Sequence, residues 1–206
     1  GFVRIVPLIR GFAPDDPETP FNKPWWGDVS SRDDYCAREW YCSMVRAVDY
    51  LATRSDLVDM DRLVASGGSQ GGALALVTAA LDPRIKYCFS MAPAACQFPE
   101  MIDSYWTFGP GPGQVPEGQT ADDLKKTLSY YDAVNFCPWI KSPTYIGLNA
   151  GDPTVHSMGG LAAFKNLTQL ADDEKQIFLG YTFFHSSDDR YLSMQDAIME
   201  ELKHAE

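Results

Sequence analysis

Short apolar runs rich in β-branched residues alternate along this chain with longer stretches in which apolar side chains recur every three or four residues. Those two spacings are the signatures of strands and helices. They predict a strand at residues 3–9, a helix at 34–53, a strand at 62–66, a helix at 69–81 and a strand at 86–91. Further on they predict a strand at 143–148, a helix at 158–170, a strand at 174–181 and a helix at 188–204. Pro7 marks an end or an edge of the first strand. Tyr35, Trp40, Val45, Val48 and Leu51 supply a buried stripe for the first helix, and the helix at 69–81 is small and apolar. This rhythm builds a mainly parallel sheet with helices on both faces, so the expected class is α/β. Residues 92–136 break the rhythm, because Gly109-Pro110-Gly111-Pro112-Gly113 cannot lie inside a helix or strand. Only a short helix at 121–128 is expected there, and the stretch reads as an insertion over the carboxyl edge of the sheet. Residues 11–31 form a long loop rich in Pro, Asp and aromatics, with Trp25-Trp26-Gly27 within it.

Composition narrows the function. The 206 residues suffice for one domain, and 45% hydrophobic with 22% charged residues is ordinary for a globular protein. A net charge of −11 argues against a nucleic-acid partner, since a phosphate backbone needs a basic face. Lys125-Lys126, the longest basic run, sits beside Asp122 and Asp123. A small neutral substrate fits best. No apolar run approaches the roughly 18–20 residues that span a bilayer. The first ten residues read as a strand rather than a leader, which leaves the compartment open between cytoplasm, periplasm and exterior. Five cysteines without a CxxC pair argue against a disulfide framework and a zinc site, with one disulfide left open and Cys88 read as a core residue. No metal or other cofactor is expected.

The chemistry centres on Gly67-Gly68-Ser69-Gln70-Gly71, a G-x-S-x-G between a β-branched strand and an Ala-rich helix. In that context the motif is a nucleophile elbow, which projects the serine hydroxyl above the sheet. The Gln70 N–H points to the same place and is a candidate oxyanion donor. A Gly-rich turn that serves only packing or anion binding is the alternative. A serine needs a base, and His185 follows the last strand, where chain order Ser, acid, His places it. His204 lies in the tail and His156 shares a loop with Asp152. Asp152 leaves the preceding strand at its carboxyl end and is the candidate acid, with an Asx turn ahead of Pro153 as the alternative. Asp188 and Asp189 follow His185 so closely that they are read as caps of the final helix. Trp25, Trp26, Tyr105 and Trp106 are candidates for a sugar-facing wall.

With these residues placed, the chain resembles the acetyl xylan esterase and cephalosporin-C deacetylase family, carbohydrate esterase family 7. The likeness rests on Ile9-Arg10-Gly11, Arg46-Ala47-Val48-Asp49-Tyr50-Leu51, the elbow from Gly67 to Leu76, the stretch from Thr127 to Phe136, and the Gly147-Leu148 to Asp152 pattern. The chain departs from the family at Phe12-Ala13, where Gln-Gly is usual. The acid pattern is one residue longer, His156 stands near the place of a double proline, and Phe184-His185-Ser186 replaces Gly-His-Glu. The resemblance implies an α/β-hydrolase fold and metal-free removal of acetyl groups from short xylo-oligosaccharides and similar small esters. It also implies a homo-oligomer, commonly hexameric. A hydrolase of another specificity, such as a peptidase, and a non-catalytic module that binds carbohydrate or a partner remain as rivals. The family sheet has eight strands, and the five expected here correspond to its last five. The chain is therefore expected to be the C-terminal part of one α/β-hydrolase domain. A missing strand would fall between the first two seen, and the second oxyanion donor outside the segment.

Overall fold

A computed structural model describes residues 2–9, 28–102 and 112–204. Four strands, β1 (Val64–Gly68), β2 (Tyr87–Met91), β3 (Thr144–Asn149) and β4 (Lys175–Gly180), pair in parallel in the order β1-β2-β3-β4. Ser66 lies opposite Phe89, Ile146 opposite Ser90, and Ile146 again opposite Ile177. Because all four run the same way, the loops that leave β1, β2, β3 and β4 open at one edge of the sheet. The α/β class expected from the sequence is the one observed.

The sheet is buried on both faces, and the period of two decides which side chain goes where. Cys88 and Ile146 join the larger core with Ala65, Leu148 and the helices α1 (Ala37–Ala52), α2 (Gln70–Leu81) and α5 (Ser157–Lys165). Their strand neighbours Phe89 and Tyr145 point the other way, where Phe178 and Tyr191 of α6 (Asp189–His204) complete a second cluster. Every residue of α2 from Gly72 to Ala79 is buried, since this helix lies between the sheet and α1. An all-round apolar helix needs such a place. In α1 the buried face is Ala37, Trp40, Tyr41 and Val48, with Leu51 packed at its margin. Cys88 is fully buried, and all five cysteines are free thiols.

Three expectations need adjustment. Residues 3–9 form no strand, so four of the five expected strands are present among the described residues. Residues 2–6 and β1 both line a cleft of about 790 Å³, and among the described residues no strand pairs with this segment. The helix expected at 158–170 ends at Lys165, where Asn166 donates its side-chain amide to the Ala162 carbonyl and stops the ladder. Between residues 92 and 136 the described residues hold two α-helices rather than the one expected: α3 (Phe98–Met101) and α4 (Ala121–Ser129). Thr120 and Asp123 close a reciprocal cap on α4. Tyr131 stands edge-on to Tyr35, at 5.3 Å between ring centres, and so ties this stretch to the start of α1.

Candidate active site

Ser69 joins β1 to α2 with φ 55° and ψ −122°, a backbone that a residue with a Cβ adopts only when its surroundings force it. Its N–H donates to the Met91 carbonyl at 2.8 Å, and its own carbonyl accepts from Gly72, Ala73 and Ala94. The turn is so tight that a Cβ on Gly67 would lie 2.3 Å from the Gly71 carbonyl oxygen. The Gln70 N–H is the first of α2 and has no intrahelical acceptor, which leaves it available to an oxyanion.

The candidate acid and the candidate base meet. Asp152 Oδ2 lies 2.7 Å from His185 Nδ1, with the carboxylate almost fully buried and the imidazole about one quarter exposed. Asp152 Oδ1 accepts from the Thr154 and Val155 N–H groups at 2.8 and 2.9 Å. Asp152 thus closes an Asx turn with one oxygen and meets the imidazole with the other. A carboxylate on Nδ1 keeps that nitrogen protonated and leaves Nε2 as the basic atom. Among the described residues no hydrogen bond joins the Ser69 hydroxyl to His185. The structure therefore brings the candidate acid and the candidate base together and leaves Ser69 at the same sheet edge, on the elbow.

The remaining candidates separate. His156 caps α5, accepting from the Met158 N–H at 3.3 Å, and His204 pairs with Glu200 on the surface. Asp188 accepts from the Arg190 N–H at the start of α6, the capping role expected of it. Trp25, Trp26, Tyr105 and Trp106 lie outside the described residues. A different aromatic group flanks the base: Tyr181, Phe183 and Phe184 are 81%, 82% and 72% exposed. Their position beside His185 was readable, but their exposure was not.

Asp132 is a second residue whose part was missed. It is buried and accepts from the N–H groups of Gln97, Phe98 and Val134. Burial pushes its carboxyl up to about 6, against the pull of those three donors. It anchors the loop after β2, where Ala92, Ala95 and Gln97 all have positive φ and Ala94 holds the Ser69 carbonyl. An Asp ahead of a helical turn signals a local cap. Its bond to a loop 35 residues away leaves no mark in the sequence. Among the described residues no group of His, Cys, Asp and Glu could hold a metal ion, and no helix is long and apolar enough to cross a membrane.

Comparison with known proteins bears on the family and the fold. The family model for acetyl xylan esterase (AXE1) matches residues 25–195. The acetyl esterase Axe7A of Xylanibacter ruminicola is 34% identical over 156 residues, which are 71% of this chain and 35% of that protein. The structure of an acetyl xylan esterase from Paenibacillus sp. R4 superimposes with a TM-score of 0.74 at 26% identity, over 94% of this chain and 61% of that one. Acetyl xylan esterase 1 from Thermoanaerobacterium sp. JW/SL YS485 shares the fold, with a TM-score of 0.68 at 21% identity, over 83% of this chain and 55% of that one. The chain thus spans about a third of the curated relative and less than two thirds of either structure.

Proposed function

Because the chain belongs to the acetyl xylan esterase family, we propose that it carries the catalytic residues of a serine esterase that removes acetyl groups from small carbohydrate esters such as xylo-oligosaccharides. The single observation that supports this most is the 2.7 Å contact of Asp152 with His185 at the sheet edge that also holds the strained Ser69. A binding module has no use for a buried carboxylate aimed at an imidazole beside such an elbow.

In this reading the Ser69 Oγ attacks the acetyl carbonyl carbon while His185 Nε2 takes its proton. The carbonyl oxygen becomes an oxyanion held by the Gln70 N–H. Collapse of the tetrahedral adduct breaks the bond to the sugar oxygen, which leaves with the proton from His185. Water then attacks the acetyl-serine, gives its proton to the same nitrogen, and acetate departs as Ser69 is reprotonated. Asp152 stays ionised throughout and steadies the imidazolium. Substrate is a neutral acetylated sugar, in keeping with the net charge of −11, and the homo-oligomer implied by the resemblance belongs to the same proposal.

Acetate release from acetylated xylo-oligosaccharides, set beside esters of longer acyl chains and peptide amides, tests the reading. Faster turnover of the acetyl sugars supports it. Turnover confined to peptide amides or long-chain esters overturns the substrate class, and light scattering of the same sample decides the oligomer.

A further inference from the structure

The loop that carries His185 has little to hold it. Its large side chains Tyr181, Phe183 and Phe184 project into solvent, so packing does not fix the segment. Its backbone is nevertheless sharply shaped, with the Ser186 N–H donating to the Phe184 carbonyl at 2.9 Å, a three-residue turn with His185 at its centre.

The side chain that grips this turn is Asn149, the last residue of β3, 1% exposed. Its Nδ2 donates to the Phe184 carbonyl at 3.3 Å and to the Ser186 Oγ at 2.9 Å, one residue on either side of His185. The amide orientation is fixed by chemistry, because the Phe184 carbonyl only accepts. The other end of the amide, Oδ1, is buried without a hydrogen-bond partner. The partner strand makes room for it: a Cβ on Gly180, which pairs with Asn149, would lie 2.1 Å from that oxygen. The Asn149 backbone carbonyl also accepts from the Asp152 N–H at 3.2 Å. One residue is thus bonded to the turn of the acid through its main chain and to the turn of the base through its side chain.

We propose that Asn149 is a positioning residue for the esterase reaction, whose amide clamps the turn of His185 and so sets the imidazole against both Asp152 and the Ser69 hydroxyl. The proposal rests on the reading of His185 as the base. Asn149 touches no substrate. It acts by fixing where Nε2 points, and a displacement of about 1 Å at a reacting group costs on the order of 100-fold in rate.

The test uses the full chain with Asn149→Leu, which keeps the shape and removes the donors, and Ser186→Ala, which removes one partner at a half-exposed position and serves if the buried variant fails to fold. Three readouts are taken: kcat and KM for an acetyl ester, the rate at which a fluorophosphonate labels Ser69, and the downfield proton resonance of His185 Nδ1–H. The proposal predicts that Asn149→Leu lowers kcat and the labelling rate by about 100-fold with KM within about twofold, and shifts or broadens the resonance. Ser186→Ala shows a smaller loss of the same kind, and the double variant is no worse than Asn149→Leu. A folded Asn149→Leu protein with parental kcat and resonance overturns the proposal. So does Ser186→Ala with parental values if Asn149→Leu does not fold. A parent that neither turns over the ester nor labels at Ser69 overturns the esterase reading itself, a distinguishable result.

Discussion

His185 Nδ1 lies 2.7 Å from Asp152 Oδ2, while the other oxygen of that carboxylate closes the turn from which it projects, onto Thr154 and Val155. The acid is therefore fixed by its own loop before it meets the base. Asp152→Asn separates the two tasks. The remaining oxygen keeps the turn, but the new amide donates to Nδ1 and forces the proton onto Nε2, the atom that must accept from Ser69. The expected result is a loss of about 10⁴ in kcat with a melting temperature within a few degrees of the parent. Asp152→Ala loses the turn as well and melts lower. Parallel measurement of kcat and melting on both variants checks this.

Asp132 gives a pH dependence with a definite sign. Its carboxyl titrates near 6 when folded and near the ordinary 3.8 when unfolded, because burial outweighs the three N–H groups that face it; Glu100 adds a smaller push in the same direction. Between those values the folded state binds more protons. This group's contribution to stability is fully present below about 3.8 and is lost as pH rises through about 6, a swing of about 3 kcal/mol. Unfolding of the parent and of Asp132→Asn, compared from pH 4 to 7, is expected to show the parent losing stability relative to the variant as pH rises. Parallel profiles would contradict it.

Gly67 permits the close approach on which the elbow depends. Gly67→Ala sets a Cβ against the Gly71 carbonyl oxygen, a backbone atom that cannot step aside. A loss of at least about 2 kcal/mol in urea unfolding is expected, with activity falling alongside.

The exposed rings of Tyr181 and Phe183 lie in the same loop as His185, where a sugar bound at the proposed site would meet them. Removing either as Tyr181→Ala or Phe183→Ala is expected to raise KM for acetylated xylo-oligosaccharides about threefold to tenfold, with little change in melting. Steady-state kinetics on acetylated xylo-oligosaccharides and on a small acetyl ester lacking the sugar separate this from a general loss.

What was legible in the sequence followed from local pattern. Four strands, the elbow at Ser69, and the loops bearing Asp152 and His185 all follow from short-range spacing and from the order of the elements. The first expected strand is not formed because strand formation is a pairing property: residues 3–9 have the composition of a strand and no paired neighbour among the described residues. Asp132 and Asn149 went unassigned for a related reason. Each acts through hydrogen bonds to backbone about 35 residues away, and neither side chain differs in the sequence from an ordinary turn or strand residue.

The central claim is that Ser69 is the nucleophile activated by His185. Reaction of the protein with a fluorophosphonate, followed by mass-spectrometric location of the adduct, tests it most directly. The account predicts one adduct, on Ser69, absent from Ser69→Ala and strongly slowed in His185→Ala. An adduct on a different serine, or none on the folded protein, would contradict it.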